Sequence, residues 1–128
     1  MKTLMNIEDQ LRLVVDVLED VKAKDIKAFN TSKLTGLFDR VVIASGNSNR
    51  QTKALAESVI AAAKQAGLSV LAYEGADTGE WVLVDLGDVV IHAMQPAIRD
   101  YYNLEEIWGE DPIELDLKVD QMPNLSDD

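Results

Sequence analysis

The stretch WVLVDLGDVVIHAM, residues 81–94, decides how the rest of the chain is read. Two runs of apolar and β-branched residues flank Gly87-Asp88, and a two-residue loop with glycine first suits a type II′ hairpin turn. Leu86 then pairs with Val89, Leu83 faces His92, and Trp81 faces Met94. Because side chains alternate across a strand, Val82, Val84, Leu86, Val89, Ile91 and Ala93 share one face. That face is wholly aliphatic and belongs in a core. The other face carries Trp81, Leu83, Asp85, Val90, His92 and Met94, too polar for a tight core and too apolar for plain solvation. Such a mixture is expected of a surface that contacts another protein.

Upstream, LSVLAY at 68–73 reads as a strand and EGADTGE at 74–80 as a loop. A helix precedes them: SNRQ at 48–51 is a Ser-x-x-Gln capping box, Leu55, Val59, Ala62, Ala63 and Ala66 form an apolar face, and Gly67 is placed to end it. LFDRVVIAS at 37–45 has the β-branched centre of a buried strand, and Ile26 to Asn30 forms a shorter extended piece. Leu4, Ile7, Leu11, Val14, Leu18 and Val21 recur at helical spacing, with Asn6 as the cap and Glu8 and Asp9 complementing the first-turn dipole. Downstream, Pro96 opens a helix over AIRDYYNLEEIW, with Ile98, Tyr101, Leu104 or Glu105, and Trp108 on its apolar face and Gly109 at its stop. The pattern is one α/β domain over residues 1–109, with roughly five strands among helices. Residues 110–128 carry 7 acids against one lysine and read as a disordered acidic tail. Alternation at Ile113, Leu115, Leu117 and Val119 leaves a docked edge strand as the lesser reading.

Composition removes several chemistries. At 128 residues with no cysteine, the chain offers no disulfide, thiol nucleophile or cysteine-based metal site. No segment approaches the ~18 apolar residues of a membrane helix, and acids occupy the start where a signal peptide needs its apolar run, so a cytoplasmic protein is expected. The net charge of −11 is unevenly spread: residues 1–66 hold 10 Lys/Arg and 8 Asp/Glu, whereas residues 67–128 hold 2 and 15. An acidic half repels nucleic acid, which argues against DNA binding, and attracts a basic protein.

His92 is the only histidine. Asp85 shares its face and lies within hydrogen-bond reach, but two ligands do not make a zinc site, and no Ser or Thr is nominated beside the imidazole as a nucleophile. The turn Ser45, Gly46, Asn47, Ser48 joins a strand to a capped helix, where backbone N–H groups can hold an anion. Strand, turn and helix of this kind also open nucleotidyltransferases, which need paired carboxylates to hold two metals. Asp85 and Asp88 straddle a hairpin turn, and Glu114 and Asp116 lie in the tail, so the catalytic half is lacking. No catalytic residue, metal or cofactor is expected.

ASGNSNRQ at 44–51, EG at 74–75, WVLVDLGDVVIHAMQ at 81–95 and a helix with Arg99, Tyr102, Leu104, Glu105 and Trp108 together resemble the ribosomal silencing factor, or Iojap-like, family over residues 7–108. The resemblance implies a mixed sheet flanked by helices, similar to nucleotidyltransferases but without their catalytic carboxylates. It also implies binding to the free large ribosomal subunit through its protein number fourteen. The bound factor would keep the small subunit from joining and so silence translation when nutrients are short. Asn30 stands where the family usually has Asp, and Pro96 and Ile98 replace a more charged helix start. On this reading Trp81, Leu83, Asp85, Asp88, Val90, His92 and Met94, extended by Tyr73 and Glu74, form the partner-binding patch. Trp81 and Met94 would be its exposed apolar anchors. The competing readings are a small-ligand or anion-binding module using the Ser45–Ser48 turn, and a homodimer using the same patch against itself.

Overall fold

A computed structural model of the protein describes residues 5–117. In chain order the elements are α1 (Ile7–Asp20), β1 (Lys24–Asn30), β2 (Arg40–Ser45), α2 (Asn49–Gln65), β3 (Ala72–Glu74), β4 (Trp81–Asp85), β5 (Val89–Met94), α3 (Pro96–Tyr102), α4 (Leu104–Trp108) and β6 (Pro112–Ile113). The hairpin forms in the expected register, with Trp81 opposite Met94 and Leu83 opposite His92. Gly87 takes φ +97°, a conformation that favours glycine, and the Leu86 N–H donates to the Val89 carbonyl at 3.0 Å. Around the hairpin the strands make one mixed sheet in the order β3-β4-β5-β2-β1-β6. Only β2 and β5 run parallel; the other neighbours are antiparallel.

The aliphatic hairpin face is buried as its parity requires. Val82, Val84, Leu86, Val89, Ile91 and Ala93 join Val42, Ala44, Ile26 and Ala28, and α1 and α2 cover them with Leu11, Val14, Val15, Leu18, Leu55, Ala56, Val59 and Ala63. The signals that predict these two helices work at atomic level. Asn6 accepts from the Asp9 N–H at 2.8 Å and Ser48 from the Gln51 N–H at 3.0 Å. The Gln51 side chain reaches back one residue beyond the expected capping-box partner, to the Asn47 N–H at 2.6 Å. At the far end Gly67 donates to the Lys64 carbonyl and Leu68 to that of Ala63, the paired bonds of a Schellman stop.

Three expectations need correction. First, the segment after Gly109 is no disordered tail at its start: it returns to the sheet edge, where Ile113 pairs with Ala28 and Pro112 with Phe29, and adds a sixth strand among the described residues to the expected mixed sheet. Leu115 and Leu117 continue the alternation and pack against the α1-side core, so the tail is ordered at least to Leu117. Its remaining residues, 118–128, lie outside those described. Second, the strands expected at 37–45 and 68–73 begin later: Leu37 is exposed, and pairing starts at Arg40 and Ala72.

Third, the last helix is broken. Asn103 sits at φ 49°, in the left-handed region that asparagine tolerates, and splits α3 from α4. Tyr101 therefore leaves the expected apolar stripe and is 80% exposed, while Ile98, Leu104 and Trp108 turn inward. With Phe38 they close over Phe29, Val41, Ile43 and Met94 on the second face of the sheet. Phe38 and Trp108 meet edge to face at 5.1 Å.

Candidate docking face

The second sheet face is covered only in part. Over β1, β2 and the end of β5 lie α3 and α4. Toward β4 and β3 the cover stops at Tyr102, whose ring lies 4.9 Å from that of Trp81. What remains open is a strip bearing Leu83 and Asp85 on β4 and Glu74 on β3; Glu74 stands opposite Leu83 and so shares its face. A shallow hollow of about 280 Å³ is lined there by Glu74, Gly75, Trp81 and Leu83. Tyr101, 5.0 Å from Tyr102, extends the aromatic rim into solvent.

The expected patch is thereby redistributed. Leu83, Asp85, Glu74 and Asp88 reach the surface, and Trp81 is half-buried. Met94 is wholly buried, Val90 is 5% exposed and His92 is 8% exposed. These three are corrected from exposed contacts to buried residues: α3 and α4, separated by the kink at Asn103, close over Met94, and the Trp81 ring lies 5.9 Å from that of His92. Tyr73 is corrected for a different reason. It pairs with Val84, which places it on the α2 side of the sheet. There its hydroxyl donates to Glu57 at 3.4 Å. Burial, aided by the Glu57 charge, raises its pKa above the ordinary 10.

The histidine does not pair with Asp85. Its Nδ1 accepts a 3.0 Å hydrogen bond from the Trp81 indole N–H, while Asp85 accepts from the Gly87 N–H at 2.8 Å and so fixes the hairpin turn. Burial pushes the His92 pKa down to about 4. The imidazole is therefore neutral at pH 7, with the Nδ1 lone pair free to hold the indole in place. Its chemistry is orientation of Trp81.

The turn at Ser45–Ser48 is filled by the protein's own groups. Ser45 is buried and its hydroxyl accepts from Arg99 Nη1 at 2.9 Å. The Gly46 N–H donates to the Met94 carbonyl, the Asn47 N–H to Gln51, and the Ser48 hydroxyl caps α2. Two of the N–H groups that an anion would use are thus already bonded, which counts against the anion-binding expectation.

A family model described as ribosomal silencing factor during starvation matches residues 5–127. The chain belongs to the ribosomal silencing factor family. The ribosomal silencing factor RsfS of Chromobacterium violaceum is 54% identical over 105 residues, 82% of this chain and 86% of that protein. A crystal structure of a Chromobacterium violaceum protein superimposes with a TM-score of 0.81 at 50% identity, covering 89% of this chain and 95% of that one. More distantly, a mouse protein named mitochondrial assembly of ribosomal large subunit protein 1 is 32% identical over 99 residues, 75% of this chain and 43% of its own length.

Within this silencing-factor fold, Arg99 is the structural residue that periodicity does not single out. It is 4% exposed and donates to the Asp25 carbonyl at 2.8 Å, to Ser45, and in a forked pair to Glu105 at 3.2 and 3.3 Å. One guanidinium so ties β1, the end of β2, α3 and α4 together, which suits a planar cation with five donors. The Arg99–Glu105 spacing is a poor match to one helix, and that mismatch is the sequence sign of the break between them.

Proposed function

We propose that this silencing factor represses translation by docking on the large ribosomal subunit through its ribosomal protein number fourteen. The bound factor occupies the space that the small subunit needs for joining. The observation that carries this reading is the uncovered strip of the sheet: Leu83 at its centre, half-buried Trp81 held by His92 and Tyr102, and Glu74, Asp85 and Asp88 around it. An apolar centre with aromatic groups and a charged rim is the anatomy of a protein-contact surface. The acidic second half of the chain complements a basic ribosomal protein and steers the encounter. The name of the mouse relative, a protein of ribosomal large-subunit assembly, supports a large-subunit partner. Steric occlusion requires no catalytic step, and the reading places the protein in the cytoplasm, without a cofactor. Among the described residues no helix is long and apolar enough to cross a membrane.

Gradient sedimentation of lysate with tagged protein tests the proposal. The factor should travel with free large subunits and be absent from joined ribosomes. Co-migration with joined ribosomes at full occupancy would overturn the steric account. A self-association that consumes the same strip would appear as a dimer displaced by large subunits.

A further inference from the structure

Three of the ten cations in the first half of the chain, Lys24, Arg50 and Lys53, stand at one end of the sheet. Lys24 opens β1 and pairs with Ser45, the last residue of β2 before the turn into α2. Arg50 stands in the first turn of α2 and Lys53 in the next, and that first turn contains no acid. Gln51 donates to the Lys22 carbonyl at 3.3 Å, which draws the α1–β1 turn against the start of α2. Lys53 crosses the loop before β4 so closely that a side-chain carbon on Gly79 would lie 3.0 Å from its Cε. An Asn49–Gln95 hydrogen bond joins the same end of α2 to the end of β5. Lys24, Arg50 and Lys53 thus form a ridge that borders the Trp81 end of the docking strip.

This ridge does not serve the fold. Cations at a helix start oppose its dipole and cost stability. Among the described residues no carboxylate lies within ion-pair distance of Lys24, Arg50 or Lys53. Asp25, the nearest acid in sequence, faces Arg99 at 3.8 Å. Asp77 and Glu80, exposed in the loop beside Lys53, mark the edge of the ridge. Against a basic ribosomal protein these three cations would be repelled, yet they adjoin the surface proposed to meet one. The anion available beside a basic protein on the ribosome is the phosphodiester backbone of ribosomal RNA.

We propose that Lys24, Arg50 and Lys53 make a second contact, to ribosomal RNA phosphates bordering the docking protein, while the Leu83 strip contacts the protein itself. This rests on the large-subunit reading above. The charge segregation gives the two surfaces opposite partners: the acidic half is repelled by RNA and held by protein, and the basic ridge does the reverse. RNA on the ridge also fixes the rotation of the factor about its docking strip, which an occluding protein needs.

The test uses the full chain and a Lys24→Glu, Arg50→Glu, Lys53→Glu variant, with affinity measured over a salt series against free large subunits and against the purified ribosomal protein number fourteen. The variant should bind subunits about tenfold or more weakly at low salt, with the slope of log affinity on log salt reduced by about 2–3 for three lost phosphate contacts. Its affinity for the isolated ribosomal protein should be no lower than that of the wild-type chain, since losing cations does not weaken attraction to a basic partner. Unchanged affinity for subunits overturns the RNA contact and leaves the docking reading intact. Equal loss against subunits and isolated protein means that the ridge meets an acidic protein surface, which also overturns it. If the wild-type chain binds neither, the docking reading fails and the RNA contact with it. Circular dichroism and melting of the variant guard against misfolding. A second variant, Lys24→Gln, Arg50→Gln, Lys53→Gln, should show the same selectivity with a smaller loss.

Discussion

Met94 is where one residue separates the two readings of the hairpin. Strand parity places it with Trp81 and Leu83, yet it is fully buried beneath α4, as Ile91 is beneath the helices of the other face. Met94→Ala and Ile91→Ala should therefore each cost roughly 2–5 kcal/mol by leaving cavities, whereas Leu83→Ala should cost much less. Thermal melting of the three variants checks this, and a Met94→Ala protein as stable as wild type would mean that the second core is loose. His92 makes a second residue-scale prediction. Its pKa falls from 6.5 to about 4 on folding, so between those values the unfolded chain takes up a proton that the folded chain refuses. The neutral imidazole contributes fully above pH 6.5, and its contribution is lost as pH falls toward 4, on the order of 3 kcal/mol at most. His92→Asn keeps an acceptor for the indole N–H but does not titrate, so between pH 7 and 5 the wild-type protein should lose more stability than the variant in urea unfolding. Parallel pH profiles would show that His92 is more open to water than its burial indicates.

At the scale of elements, the instructive departure is the chain after Gly109. Seven acids over residues 110–128 outweigh a four-residue alternation of Ile113, Leu115, Leu117 and Val119 when composition alone is read. The fold reverses that weighting because β1 would otherwise expose an edge: β6 pairs with it, and the Asn30 N–H finds the Asp111 carbonyl at 2.9 Å. A chain ended after Gly109 should lose roughly 2–4 kcal/mol, since three half-buried aliphatic side chains go, each worth about half of full burial. It should also aggregate more readily through the bared edge, measured by urea unfolding and light scattering. Undiminished stability would make β6 ornamental. Elements whose signals are local are legible in advance: the hairpin from Gly87-Asp88, α2 from Ser48 to Gly67, α1 from its apolar stripe. The break at Asn103 is not, because AIRDYYNLEEIW keeps acceptable helical spacing on either side of it. Only the tertiary demand of covering Met94 and housing Arg99 selects the left-handed turn there. Four of the nine candidate patch residues lie off the open strip: Met94 packs with Ile98 and Leu104 of a helix pair whose position local periodicity does not encode, Val90 and His92 are buried on the same face, and the side taken by Tyr73 depends on the register of a three-residue edge strand.

For the whole molecule, docking sets two effects of charge against each other, and Leu83 can tell them apart. The acidic second half attracts a basic partner at long range, an effect screened beyond about 8 Å at physiological salt. The Leu83 strip acts only at contact, where an unpaired charge must be desolvated without compensation. Leu83→Glu makes the protein more acidic, and because Leu83 lies half-buried on the uncovered strip, it should leave the fold close to its wild-type melting temperature. Long-range attraction predicts a slightly faster association with large subunits. Contact predicts a much faster dissociation, with a net loss of about 2 kcal/mol or more if Leu83 is part of a hot spot. The second effect should win, because interface mutations act mainly through dissociation rates. Surface-based kinetics at two salt concentrations resolve the terms: the association rate should fall with salt for both proteins, and the dissociation defect should persist. Tighter binding by Leu83→Glu at every salt concentration would mean that the factor is held by its overall charge, and the strip beside Trp81 would lose its standing as the docking surface.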